Sequence, residues 1–222
     1  MKTLKKVLAL LTLCCLTVAL FAGCIEAKEY VATDEACFNF TLLEDGTYAV
    51  SAKEVEALPE IVNLPKEYEG AKVTAVLENG FKNAAISEVR IPETYKVIGA
   101  NAFSGAALTK LYFFKGVEEI QAGAFYGCSG ITELNLPSSL KVIGDAAFSG
   151  LSIRNLTLTS KVQTVGANAF AYCEKLEKVY ISHSVASIGA NAFVGISDKA
   201  EFEISASNLY YKLGEDGYPV AK

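Results

Sequence analysis

Six phenylalanines set the register of this chain: Phe81, Phe103, Phe125, Phe148, Phe170 and Phe193 follow one another at intervals of 22, 22, 23, 22 and 23 residues. A fixed period in this range marks a chain assembled from stacked copies of one small unit. The surroundings of each Phe repeat with it. Val76, Ile98, Ile120, Ile143, Val165 and Ile188 stand five residues before it, and Ala102, Ala124, Ala147, Ala169 and Ala192 immediately precede it. Glycine often follows the aliphatic residue, at Gly99, Gly144, Gly166 and Gly189.

Downstream of each Phe comes an apolar, polar, apolar trio: Val89-Arg90-Ile91, Leu111-Tyr112-Phe113, Leu134-Asn135-Leu136, Leu156-Thr157-Leu158, Val179-Tyr180-Ile181 and Phe202-Glu203-Ile204. Alternation with period two predicts a strand with one buried face. The pairs Val117/Ile120, Leu140/Ile143, Val162/Val165 and Val185/Ile188 predict a second short strand or bend on the opposite wall. Each unit is then one coil, and no coil can bury its apolar wall alone; stacking gives the coils a shared core. The expected fold is a solenoid, a right-handed stack of short parallel strands with tight turns and little helix. At about 4.8 Å per strand its repeat body is very roughly 30 Å long. Small residues in turns such as Ala100-Asn101-Ala102 let the coils approach, while each Phe fills the bend.

These units resemble the short leucine-rich repeats of the BspA-like surface proteins. The resemblance rests on Ile98-Gly99, Ala102-Phe103, Ala124-Phe125 with Cys128, and Ala169-Phe170 with Cys173, Leu176 and Val179-Tyr180-Ile181. It covers about residues 61–204 and implies a leucine-rich-repeat solenoid that attaches to host matrix proteins or other cells. The first unit departs from the pattern, with Leu77 and Gly80 in place of the Gly and Ala, and the last lacks a clear Leu before Phe202. Irregular terminal units are what capping requires.

Outside the array, Phe38, Phe40 and Leu42 alternate before Glu44-Asp45-Gly46-Thr47, then Tyr48 and Val50, which predicts a hairpin cap within residues 37–60. Residues 205–222, with a turn at Gly214-Glu215-Asp216-Gly217, read as a C-terminal cap, and polar residues 24–36 as a flexible tether. Residues 1–23 begin with Lys2, Lys5 and Lys6 and continue as a weakly polar or apolar run from Val7 to Ala22, the pattern of an export signal. That run of 16 residues is short for a bilayer span, which needs roughly 20. Leu20-Phe21-Ala22-Gly23-Cys24 resembles the lipobox of bacterial lipoproteins, with Phe21 where that family usually has Leu. The resemblance implies lipidation at Cys24 and display on the outer face of the membrane; two acyl chains suffice for stable anchoring. A cleaved signal that merely ends near a Cys is the alternative.

Removal of residues 1–23 leaves 17 basic and 25 acidic side chains, a net charge of −8. Such a chain does not seek nucleic acid or anionic membrane through its charge, so its membrane contact is the anchor alone. The only histidine, His183, lies in a loop without the partners of a triad or metal site, and no phosphate loop or calcium loop is present. An enzyme or a cofactor therefore has nothing to rest on. Cys37, Cys128 and Cys173 remain; the last two share a repeat position two coils apart, beyond the reach of a disulfide, and read as buried core thiols.

Function is thus expected on the strand-lined face. The middle residues of the trios form an outward row, Arg90, Tyr112, Asn135, Thr157, Tyr180 and Glu203. A second row is expected one strand step on, at Pro92, Phe114, Pro137, Thr159, Ser182 and Ser205. Phe114 replaces Pro, Thr or Ser and sits beside Tyr112, so ligand contact is assigned to Arg90, Tyr112, Phe114, Asn135 and Tyr180; aromatics bring rigid area at low entropy cost. Three roles are open: protein-binding adhesion, an envelope spacer with no ligand, and polysaccharide capture with Tyr112, Phe114 and Tyr180 as stacking platforms.

Overall fold

Each Phe-centred unit forms one coil in the computed structural model, which describes residues 30–222. The signal, Cys24 and the first part of the tether lie outside the described residues. A hairpin of β1 (Phe38–Leu42) and β2 (Tyr48–Ala52) opens the fold, with Leu42 opposite Tyr48. The chain continues through β3 (Ile61–Asn63), β4 (Glu67–Tyr68), β5 (Ala71–Val76), β6 (Glu88–Ile91), β7 (Val97–Ile98), β8 (Lys110–Phe113) and β9 (Glu119–Ile120). Then come β10 (Val142–Ile143), β11 (Asn155–Leu158), β12 (Thr164–Val165), β13 (Lys178–Ile181), β14 (Ser187–Ile188) and β15 (Glu201–Ile204). A second hairpin, β16 (Tyr211–Leu213) with β17 (Pro219–Ala221), ends it. Helix is confined, among the described residues, to single 3-10 turns at Glu35–Cys37 and Val55–Ala57.

Three walls surround one core. The short wall is a continuous parallel ladder, β5-β7-β9-β10-β12-β14, with Ile98, Ile120, Ile143, Val165 and Ile188 in register; β2 joins it, so the N-terminal hairpin seals the first coil edge. The long wall carries the trios, and it is not continuous. It consists of two three-stranded parallel sheets, β3-β6-β8 and β11-β13-β15. The strand expected at Leu134-Asn135-Leu136 does not form: β9 is followed directly by β10, and residues 131–137 cross the long wall outside any ladder. Asn is disfavoured in strands. Conversely β3 adds a coil that the Phe period misses, with Val62 and Leu64 fully buried.

The turn wall is held by main-chain bonds from coil to coil. Phe81, Phe103, Phe125, Phe148 and Phe170 each donate their N–H to the carbonyl of the Ala before the next Phe, at 2.7 to 2.9 Å. The aromatic rings stack nearly parallel, with centroids 5.1 to 5.8 Å apart. Such stacking requires a backbone that reverses hand twice per coil. The residues two before and two after each Phe have positive φ: Asn79 and Asn83, Asn101 and Gly105, Gly123 and Gly127, Ala146 and Gly150, Asn168 and Tyr172, Asn191 and Gly195. Asn and Gly occupy ten of these twelve places because they tolerate the left-handed region best. Where Gly follows the short-wall aliphatic the cause is different: a Cβ on Gly189 would lie 2.3 Å from the Ala167 nitrogen, so coils touch there through backbone.

Coil length varies at one corner only. From Phe to the last trio residue there are ten steps in Phe103 to Phe113 but eleven in Phe125 to Leu136, whereas from that residue to the next Phe there are always twelve.

Both ends of the stack are closed by polar groups. Residues 31–36, part of the expected tether, dock on β3: Thr33 donates to the Asn63 carbonyl, its hydroxyl accepts from Asn63 N, and the Asn63 amide reaches Val31 O at 2.7 Å. At the far end Asn208 is fully buried. Its amide donates to the Ser182 and Val185 carbonyls, and its oxygen accepts from the N–H groups of Tyr210 and Tyr211, all at 2.8 to 3.1 Å. No described helix is long and apolar enough to cross a membrane.

Candidate functional site

The strand-lined face displays the first expected row. Parallel register places Arg90 beside Tyr112, and Thr157, Tyr180 and Glu203 side by side. Tyr112, Asn135, Thr157 and Glu203 are exposed, and Arg90 and Tyr180 are half-buried. Arg90 is tied in place: its guanidinium lies 2.6 Å from the buried Glu88 carboxylate and 5.6 Å from the centroid of the Tyr112 ring. A cation over an aromatic face is worth about 0.5–1 kcal/mol at an exposed site, so one face of Tyr112 is partly covered and its orientation restrained.

The second expected row is mostly not a surface. Pro92, Pro137 and Ser182 are buried, and Thr159 and Ser205 are half-buried. The chain turns toward the short wall after each trio, so period-two alternation stops there. Ser182 instead bonds to the Thr159 carbonyl of the previous coil. Phe114 is the exception at 44% exposure, equal to Tyr112. Between them Phe113 turns inward and meets Phe125 edge-on at 5.8 Å.

The gap in the long wall forms a hollow that the repeat pattern does not announce. Thr109, Lys110, Leu111 and Tyr112 form one side and Gly130, Thr132, Glu133 and Asn135 the other, around about 320 Å³. The coil opens slightly here: Leu134 and Leu136 retain 7% and 9% exposure, against 2% and none at the equivalent Leu156 and Leu158 of the next coil. A second hollow of about 400 Å³ lies over β11, β13 and β15 and includes Asn155, Thr157, Lys178, Tyr180, Glu201 and Glu203. Tyr112 and Asn135 therefore share one hollow and Tyr180 lies in another; Arg90 and Phe114 line neither. Lys110, Thr132 and Glu133 escaped the sequence reading, although their places flanking the trios were its available signal.

Chemically the face can stack and hydrogen-bond. His183 is exposed in its loop, and the described residues contain no cluster of three metal-ligating side chains. Cys128 and Cys173 are fully buried and unpaired by disulfide. Burial pushes their thiols up, to about 12 and about 11, and each donates to a carbonyl of the preceding coil, Phe103 and Phe148 respectively. A thiol so placed is a core side chain and a poor nucleophile.

Against known families, the BspA type leucine rich repeat region matches in six copies over residues 74–201. The chain belongs to this family. No catalytic family is matched, and no curated protein matches the chain. Its fold is that of a leucine-rich-repeat protein from T. pallidum at 24% identity and a TM-score of 0.64, with 78% of this chain and 86% of that one covered. The pneumococcal vaccine antigen PcpA is similar at 25% identity and TM-score 0.67, over 83% of this chain and 52% of the antigen. A leucine rich cell surface protein from Faecalibacterium prausnitzii shares the fold at 21% identity and TM-score 0.59, over 86% and 60%. The chain thus spans about half the length of the antigen.

Proposed function

We propose that this BspA-type protein is a binding module displayed on a bacterial surface, held there by lipid on Cys24, and that it engages a partner through its strand-lined face. Tyr112 and Phe114 carry the reading: both are 44% exposed, Tyr112 in β8 and Phe114 just after it, two large aromatics two residues apart on the strand-lined side. Large exposed aromatics are frequent anchors of contact hot spots. Surface display fits a family whose structural neighbours include a vaccine antigen and a cell surface protein. Such a module acts by adhesion to a host matrix protein, another cell-surface protein or a glycan.

The test is a screen of the full chain against matrix proteins and glycans, followed by Tyr112→Ala with Phe114→Ser on any ligand found. The double substitution is expected to cost about 2 kcal/mol or more of binding, the hot-spot scale, with thermal stability changed by under about 0.5 kcal/mol. Silence across the screen overturns the binding reading in favour of a spacer, and normal binding by the variant moves the site elsewhere. Anchoring is tested separately by fatty-acid labelling, which Cys24→Ala is expected to abolish.

A further inference from the structure

The two hollows lie on one line. From Tyr112 the outward row passes Asn135 and Thr157 to Tyr180, three coils on and about 14 Å away at ordinary strand spacing. Charge is confined to the ends of the row, with Arg90 at one and Glu203 at the other. The four middle residues offer two phenol rings, an amide and a hydroxyl. Asn135 and Thr157 are exposed and take part in no side-chain hydrogen bond among the described residues. Around the first hollow, the main-chain groups of Thr132 to Leu136 and the outer edge of β8 stand outside any ladder, adding donors and acceptors that the other coils use up.

We propose that this line is the binding groove for a neutral, linear glycan. The proposal rests on the strand-lined face being the contact surface. One sugar ring stacks on Tyr112 in the first hollow and another on Tyr180 in the second. Between them the hydroxyls are read by the Asn135 amide, the Thr157 hydroxyl and the unladdered main chain. The chemistry favours this occupant over a protein. A protein hot spot needs a desolvated apolar centre ringed by polar groups, whereas here the centre is polar and the aromatics stand apart at either end. The hollows set Lys110 against Glu133 and Lys178 against Glu201 and Glu203, a near balance that suits a neutral glycan better than a strongly charged one.

The experiment is calorimetry of the full chain in detergent against cello-, xylo-, manno- and malto-oligosaccharides of one to six units. At least one series is expected to bind, with affinity rising tenfold or more between the disaccharide and the longest member. Tyr112→Ala and Tyr180→Ala should each weaken the long oligosaccharide tenfold or more, while Tyr112→Phe and Tyr180→Phe, which keep the ring, retain most of the affinity. Unchanged melting temperatures show that the alanine variants are folded; if either unfolds, the Phe variants and the length dependence decide. No binding by any series, equal affinity at all lengths, or indifference to both tyrosines overturns the glycan groove. Binding of a matrix protein that is lost in the Tyr112→Ala, Phe114→Ser variant also overturns it if the sugars are silent, but leaves the face as a contact surface intact.

Discussion

The turn wall and the long wall are built by the same coils, yet one is continuous and the other is broken. In the turn wall every coil bonds to the next through main-chain groups beside a stack of five fully buried phenylalanine rings, Phe81 to Phe170, and the less buried Phe193. The long wall stops at β8 and resumes at β11. The coil between them is held by its Phe125 bond to Ala147 and by β10 pairing with β9 and β12, while its third side is tied to the next coil only at its ends, through the Ile131 and Pro137 carbonyls. Two walls run unbroken through this coil; the third holds the stack on either side of it through two three-stranded sheets and also presents side chains outward. Stability and display are thereby separated, as a repeat protein with nearest-neighbour energetics permits.

The largest break in this comparison comes from the turn wall. Phe125→Ala removes a fully buried ring centred 5.2 Å from Phe103 and 5.4 Å from Phe148. It is expected to cost about 3–5 kcal/mol in a urea titration. Leu134→Ala, in the open coil of the long wall, is expected to cost less than Leu156→Ala in the laddered coil beside it. Equal losses for the two leucines would mean that the opening carries no energetic signature.

A second measurement probes how tightly the coils close around the thiols. Both Cys side chains ionise far above neutral pH because burial disfavours the thiolate. Alkylation at pH 8 is therefore expected to follow the unfolding rate and to accelerate in urea. Cys37, half-buried beside the N-terminal hairpin, should react ahead of them. Rapid native labelling of Cys128 would place the opening of its coil deeper than the surface hollow.

The smallest effect concerns backbone hand. Ala146 stands at φ 51° where the equivalent places in other coils hold Asn or Gly. Ala146→Asn is expected to raise stability by about 0.5–1 kcal/mol, read as a modest rise in melting temperature. A loss would show that a neighbour in the turn wall excludes the amide.

What the sequence revealed follows the same division. The Phe register and most of the trios were legible because burial writes a period into the residues that make it. The gap in the long wall was not, since Leu134-Asn135-Leu136 alternates like any other trio and fails as a strand through hydrogen bonding rather than hydrophobicity. The handedness of the turn wall left a clue in the recurring Asn and Gly two residues either side of each Phe. Hydrophobic periodicity is blind to the sign of φ. The exposure of Tyr112 and Phe114 was legible because both stand out against the repeat pattern. Extending that row through Pro92, Pro137 and Ser182 failed because the chain bends after each trio.

The unequal arms of the coil bear on how such a protein can grow. Twelve steps always separate the end of a trio from the next Phe, while the path from Phe to trio takes ten or eleven. One arm is a rigid gauge and the other has play. Duplication of a whole coil preserves the gauge and lengthens the outward row by one side chain, so lineages can extend the face without redesigning it. Shorter insertions are tolerated at the corner after Phe, where residues such as Ser129 and Gly130 already lie exposed. That corner borders the strand-lined face, which makes it the place where new loops can be grafted beside the groove while the gauge, and with it the stack, stays untouched.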